Sequence, residues 1–245
     1  MDSPDLLAAA GVIAFCAFFI RGYTGFGASM IMVAALTFFW APAQVVPLIF
    51  LLEVTASLAL VPGVWREAQW SSLWLLWLGM GVATPLGIFL LTWFAPETLT
   101  LVIAVLIALA AAAMLAGVRN TEVPGRAATL AAGGVAGAMN GAMAMAGPAV
   151  VLFYFSSPAG VAAGRASLIV FFVLADLLGA GFAAAEGLYD RQMLLRLTVL
   201  ALPCLAGAYA GSHAFRFAEP ETVRRFALIF LIVMALARVA TIAAN

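Results

Sequence analysis

Residues 14–36 read AFCAFFIRGYTGFGASMIMVAAL. The stretch is apolar on every helical face except for one charge, Arg21, and it carries three glycines, Gly22, Gly25 and Gly27, within six residues. It lies inside an apolar block over residues 6–40. A straight helix of that length, at 1.5 Å per residue, would run about 52 Å, against roughly 30 Å of bilayer hydrocarbon. Each glycine weakens a helix interior by about 1 kcal/mol relative to alanine. The block is therefore predicted to break at its glycines, at membrane depth.

The rest of the chain has the same character. Of 245 residues, 66% are hydrophobic and 9% charged, and the mean hydropathy is +1.16. Residues 68–96, 98–118 and 127–164 carry no charge at all. Apolar runs of about 18 residues or more are read as membrane-spanning helices. Backbone polar groups in lipid must be satisfied inside the span, which leaves helices or a closed barrel. A barrel would show alternation over about ten residues, and these blocks are longer and apolar throughout. The expectation is an all-α membrane protein, a polytopic helical bundle of about eight blocks: 6–40 (interrupted), 43–62, 72–94, 98–118, 127–155 (interrupted), 163–185, 193–213 and 222–243.

Composition also excludes function classes. All eleven basic residues are Arg, and the net charge is zero, so a nucleic-acid footprint is missing. One histidine and two cysteines supply no metal or haem cluster, and no cofactor is expected. Cys16 and Cys204 read as small buried hydrophobes. Asp2 and Asp5 stand where a signal peptide would be basic. No phosphate-binding P-loop pattern occurs. An intramembrane serine protease would need a Ser with a His inside the helices, whereas His213 stands alone near a helix end beside Arg216. The chain reads as no enzyme.

Two halves are visible. Pro96-Glu97-Thr98 opens one apolar helix and Pro220-Glu221-Thr222 opens another; Gly87 falls on Gly211 at the same offset. Ala41-Pro42-Ala43 resembles Ser157-Pro158-Ala159, and Gly22 falls near Gly141. The reading is a first transmembrane repeat over 1–120 and a second over 121–245, joined by the polar stretch Arg119–Arg126. If each broken block crosses once, the ten Arg residues other than Arg21 divide six to four across the membrane; if it doubles back, they divide seven to three. The excess of basic residues on one side favours doubling back, and so inverted repeats, by one residue.

Broken helices at corresponding positions of two halves often build a transport site, the half-helix N-termini offering free N–H groups to an anion. The expected substrate-binding residues are Arg21, Gly22, Thr24, Gly25, Gly27 and Ser29 from the first break, and Asn140, Gly141, Gly147 and Pro148 from the second. The alternative for the glycines is close helix packing. Arg21 either attracts an anion or snorkels to an interface. Glu53 and Asp176 lie deep in the second block of each half; a carboxylate there is costly. Each either couples proton movement or is tied to an Arg or hydroxyls for packing. Arg165, at the start of the Asp176 helix, reads as a loop-end residue. Trp65, Trp70, Trp74 and Trp77 read as an aromatic belt at the headgroups.

Gly22, Gly25-Phe26-Gly27, the Pro42 turn, Gly87, Gly137, Asn140, Gly141, Gly147 and Pro148 together resemble the sulfite exporter TauE/SafE family of membrane permeases. Ala144 and Ala146 depart from its glycine-rich pattern in the second half. The resemblance implies outward movement of small sulfur-containing anions, such as sulfite or organosulfonates, across the cytoplasmic membrane. The expectation is a multi-pass cell-membrane secondary transporter, coupled to protons through Glu53 or Asp176. A passive small-anion channel and a transporter of small carboxylates are the alternatives. The expected partners are a small anionic substrate and the lipid bilayer, with room for a homo-oligomer and none for nucleic acid.

Overall fold

The computed structural model describes residues 3–36, 38–93, 105, 108–109, 111–112, 114–117, 124–143, 146–185 and 187–243. Nine helices of nine residues or more are seen among them: α1 (Pro4–Thr24), α2 (Ala28–Leu36), α3 (Pro42–Val64), α4 (Trp70–Trp93), α5 (Arg126–Met143), α6 (Gly147–Ser156), α7 (Val161–Ala185), α8 (Arg191–Phe215) and α9 (Pro220–Ala243). Most of the predicted block 98–118 lies outside the described residues. Four helices among those described are long and apolar enough to cross a membrane, within Pro4–Thr24, Gln44–Val64, Val161–Ala185 and Arg191–Phe215.

Local chemistry sets the ends. Ser3 caps α1 by accepting from the Leu6 N–H at 3.2 Å, with Pro4 at the first helical position, where its missing N–H costs nothing. Asp190 caps α8 by accepting from the Met193 N–H at 2.6 Å. The break predicted in the first block is present and sits at Gly25 to Gly27. Gly25 ends α1 at φ 91°, its N–H bonded back to the Arg21 carbonyl, and Gly27 follows at φ 95°. Both conformations suit glycine and strain other residues. The nine residues of α2 span about 14 Å, and the ten of α6 about 15 Å, each roughly half a bilayer. In the second block the interruption falls between α5 and α6.

The chain divides into two compact units: Met1–Ala68 with Leu168–Ala218, and Gln69–Ser167 with Glu219–Asn245. Both therefore mix residues from before and after the chain midpoint. In the first unit, α1 packs along α8. Gly22 lies against the backbone of Ala208, Gly207 against Phe15, and Gly211 against Phe19, with no space for a Cβ at any of the three. In the second unit, α5 packs along α4. Gly79 lies against Leu130, Gly133 against Leu76, and Gly137 against Met80, again with no such space. Backbone-to-backbone approach of this kind is how apolar helices associate without a hydrophobic driving force. One pattern thus occurs twice: a broken helix from one half of the chain is held by an uninterrupted helix from the other half.

Phe18, Leu48 and Leu52 are buried in the first unit, and Leu73, Leu76 and Met80 in the second, while Val82, Trp74, Leu202 and Leu178 are exposed. Such an apolar exterior suits lipid. Cys16 differs from expectation: it is exposed, while Cys204 is buried. Trp70, Trp74 and Trp77 meet edge to face, with centroids 6.4 Å apart for Trp70–Trp77 and 5.4 Å for Trp74–Trp77.

Candidate functional site

The last turn of α1 places Arg21 just before the glycine break, and its side chain turns into the first unit, where it is 1% exposed. It does not snorkel to an interface. Its Nη1 is ion-paired with Glu53 Oε2. Its Nη2 donates to Ser57 Oγ at 2.5 Å and stands 3.7 Å from Asp176 Oδ2. The guanidinium carbon lies 5.0 Å from the centroid of the Phe172 ring, a cation–π distance. Glu53 and Ser57 are four residues apart, and so are Phe172 and Asp176, so α3 and α7 each present one face to the arginine.

Glu53 Oε1 accepts from the backbone N–H of Ser29 at 3.0 Å. Ser29 is in the first turn of α2, so this N–H is one of those a helix leaves unsatisfied. Thr24 stabilises the break: its hydroxyl lies 2.8 Å from the Ile20 carbonyl oxygen and accepts from the Phe26 N–H at 3.3 Å. Four predicted residues, Arg21, Ser29, Glu53 and Asp176, therefore form one contiguous site, with Thr24, Gly25 and Gly27 shaping the turn beside it. Gly22 takes the packing alternative, facing α8.

The electrostatics of the cluster are uneven. With all three groups ionised, Arg21, Glu53 and Asp176 sum to −1. A buried ion pair is tolerable only when the remaining polar atoms are satisfied, and a surplus charge is not compensated at all. Among the described residues, neither Arg21 Nε nor Asp176 Oδ2 has a hydrogen-bond partner. The site has one more carboxylate than its cation can match and one N–H to spare.

The second predicted set belongs to the second unit. Asn140 and Gly141 are in the last turn of α5, and Gly147 and Pro148 open α6. Ala146 is buried immediately before α6; Ala144 lies outside the described residues. Gly137, on the same helix, packs against Met80. Arg165 is not a loop-end residue: it lies inside α7 and is buried. His213 is on the last turn of α8, its ring 5.1 Å from that of Phe217.

Sequence reasoning missed Ser57, Phe172 and a second arginine arrangement. Arg196, buried in α8, donates from Nη1 to Gln44 Oε1 at 3.1 Å and lies over Trp40 at 4.2 Å. The i+4 spacing of Ser57 from Glu53 was a readable signal. The meeting of Arg196 with Trp40 had none, since they come from distant parts of the chain.

No curated protein and no solved structure gives a significant match to this chain. A profile of one family, described as Sulfite exporter TauE/SafE, matches residues 10–238. That range takes in both breaks, the Arg21–Glu53–Asp176 cluster and all nine helices in whole or part. The chain belongs to the sulfite exporter TauE/SafE family, a family of membrane transporters.

Proposed function

We propose that the protein is a secondary transporter moving small sulfur-containing anions, such as sulfite or organosulfonates, outward across the cell membrane in a proton-coupled cycle. Glu53 or Asp176 is the proton-handling group, and the break at Gly25–Gly27 supplies substrate contacts beside them in the first unit. The observation that carries this reading is the burial of two carboxylates against a single arginine at the end of a broken helix. Ionisable groups inside a membrane bundle are expensive and mark ion or substrate routes. With one carboxylate more than the arginine can match, the cluster holds a group able to take and lose a proton. Unwound backbone at membrane depth needs protein or a cavity around it, and in transporters such breaks flank the substrate.

The test is flux in liposomes. Purified protein is reconstituted, sulfite or a sulfonate is loaded, and a pH step is imposed. A proton-coupled carrier drives the anion against its own gradient, and the drive is lost in at least one of Glu53→Gln and Asp176→Asn. Flux that only follows the anion gradient and ignores pH makes the protein a channel. Uptake of small carboxylates without sulfur oxyanions replaces the substrate class.

A further inference from the structure

An anion arriving at the first break would find two attractions, the open N–H groups at the start of α2 and the guanidinium of Arg21. In this structure both are taken by a group of the chain itself. One oxygen of Glu53 accepts from the Ser29 N–H at 3.0 Å, and the other is ion-paired with Arg21. The carboxylate thus bridges a helix N-terminus and an arginine, as a bound oxyanion would. Asp176 Oδ2 and Arg21 Nε, both buried, have no hydrogen-bond partner among the described residues.

We propose that Glu53 is a tethered stand-in for the transported anion: it holds the anion seat when substrate is absent, and substrate enters by displacing it together with uptake of one proton. This rests on the anion-transport reading above and adds what governs access to that site. The proton has two reasons: an ionised Glu53 displaced from Arg21 would be a buried carboxylate without a cation whatever the state of Asp176, and the cluster would gain negative charge. The ionised cluster stands at −1, and a monoanion added beside it would bring −2 into a space of low dielectric, where each added charge is heavily penalised. A proton taken from solution onto the Glu53 carboxylate breaks its pair with Arg21 and frees Nη1 and the Ser29 N–H. The anion occupies those donors, and the cluster with its substrate returns to −1. Charge before and after entry is equal. Asp176 Oδ2, in ion-pair range of Arg21 but without a hydrogen bond among the described residues, is an acceptor in the same cluster for the new Glu53 O–H.

The groups facing Glu53 among the described residues are these. Arg21 comes from α1 and Asp176 from α7. Cys204 comes from α8, its thiol 3.6 Å from the Leu52 carbonyl oxygen. From α2 comes only the uncharged Ser29. Among the described residues Asp176 is the one rival carboxylate for the proton, and a variant separates the two.

The experiment is calorimetric titration of the full-length protein in detergent with methanesulfonate, which stays ionised across the range used, in two buffers of different ionisation heat. The expected result is about one proton taken up per anion bound, with affinity rising about tenfold per unit fall in pH, the slope of a one-proton linkage. Glu53→Gln binds without proton uptake, tenfold or more tightly than the wild type at neutral pH. Asp176→Asn keeps the uptake, which identifies Glu53 as the acceptor even if Glu53→Gln fails to fold. Binding by the wild type without proton uptake overturns this inference alone, as does uptake that disappears in Asp176→Asn. Failure of methanesulfonate, sulfite and sulfate all to bind overturns the anion-transport reading, and this inference with it.

Discussion

Arg21 Nη2 and Asp176 Oδ2 stand 3.7 Å apart, and the two residues come from opposite halves of the chain. Arg21 is also paired with Glu53, so among the described residues it is the cation shared by two buried carboxylates. The cluster ties α1, α3 and α7 to one another.

Removing the arginine leaves both carboxylates without a cation. Arg21→Gln is expected to destabilise the protein by about 3–5 kcal/mol, the range for breaking a buried pair. Replacing Arg21, Glu53 and Asp176 together by Met, Leu and Leu restores most of that stability, because apolar groups of similar volume serve a buried site as well or better. It abolishes transport. Unfolding in detergent followed by circular dichroism, beside liposome flux, separates the two effects.

The glycines at the α1–α8 contact give a packing prediction. Gly22, Gly207 and Gly211 have no space for a Cβ, whereas Gly63 has open space around it. Gly211→Ala is expected to lose about 1–3 kcal/mol, the usual cost of overpacking. Gly63→Ala, inside α3, gains up to about 1 kcal/mol from helix propensity alone. Melting curves of the two variants side by side check the contrast.

Gly25 and Gly27 make a different demand. Their φ angles, 91° and 95°, cost an alanine about 1–2 kcal/mol each. Gly25→Ala and Gly27→Ala should therefore lower stability modestly while reducing anion flux much more, because the turn sets where Ser29 and Arg21 point. Equal fractional losses in both measurements would make the turn a structural feature only.

In the second unit, Arg224 is buried and donates from Nε to the Phe155 carbonyl at 3.0 Å and from Nη2 to the Met114 carbonyl at 3.3 Å. Phe155 is in the last turn of α6, where carbonyls lack helical partners. Arg224→Met orphans these acceptors and is expected to cost about 1–3 kcal/mol for each one left unsatisfied. Proton-coupled flux per folded molecule stays unchanged, since Arg224 lies outside the Arg21 cluster.

Labelling tests the exterior. Cys16 is exposed and Cys204 buried, and Cys16 lies within a candidate membrane span. In intact membranes a lipid-soluble maleimide is expected to modify Cys16, while a charged, water-soluble one leaves it unmodified. Equal reaction with both reagents places that face of α1 in water.

Much of the fold was legible in residue order. A helix of about 35 apolar residues does not fit a bilayer, and three glycines in six positions showed where the first block gives way. Pro148 likewise marked the second interruption, which lies just before it. The expectation that Glu53 and Asp176 belong to the site's chemistry needed only hydropathy, since a carboxylate deep in an apolar helix requires a reason. The placement of the glycines was less legible. A glycine that opens a turn and one that admits a neighbouring backbone look alike in sequence, so Gly22, which packs on α8, was grouped with Gly25 and Gly27, which make the break. Cys16 and Arg165 were misplaced for a related reason. In a helix apolar all round, no polar face tells which side meets lipid and which meets protein.

Sequence by itself determined that the chain lives in a bilayer, that it is helical, and where its spans are interrupted, because hydropathy and backbone propensity act over neighbouring residues. Only the tertiary structure decided that Arg21 meets Glu53, Ser57 and Asp176, and that Glu53 caps the opening turn of α2. Those contacts join residues far apart in the chain. The helix rotations that bring them together are set by backbone packing at glycines such as Gly207 and Gly211, which no local pattern specifies.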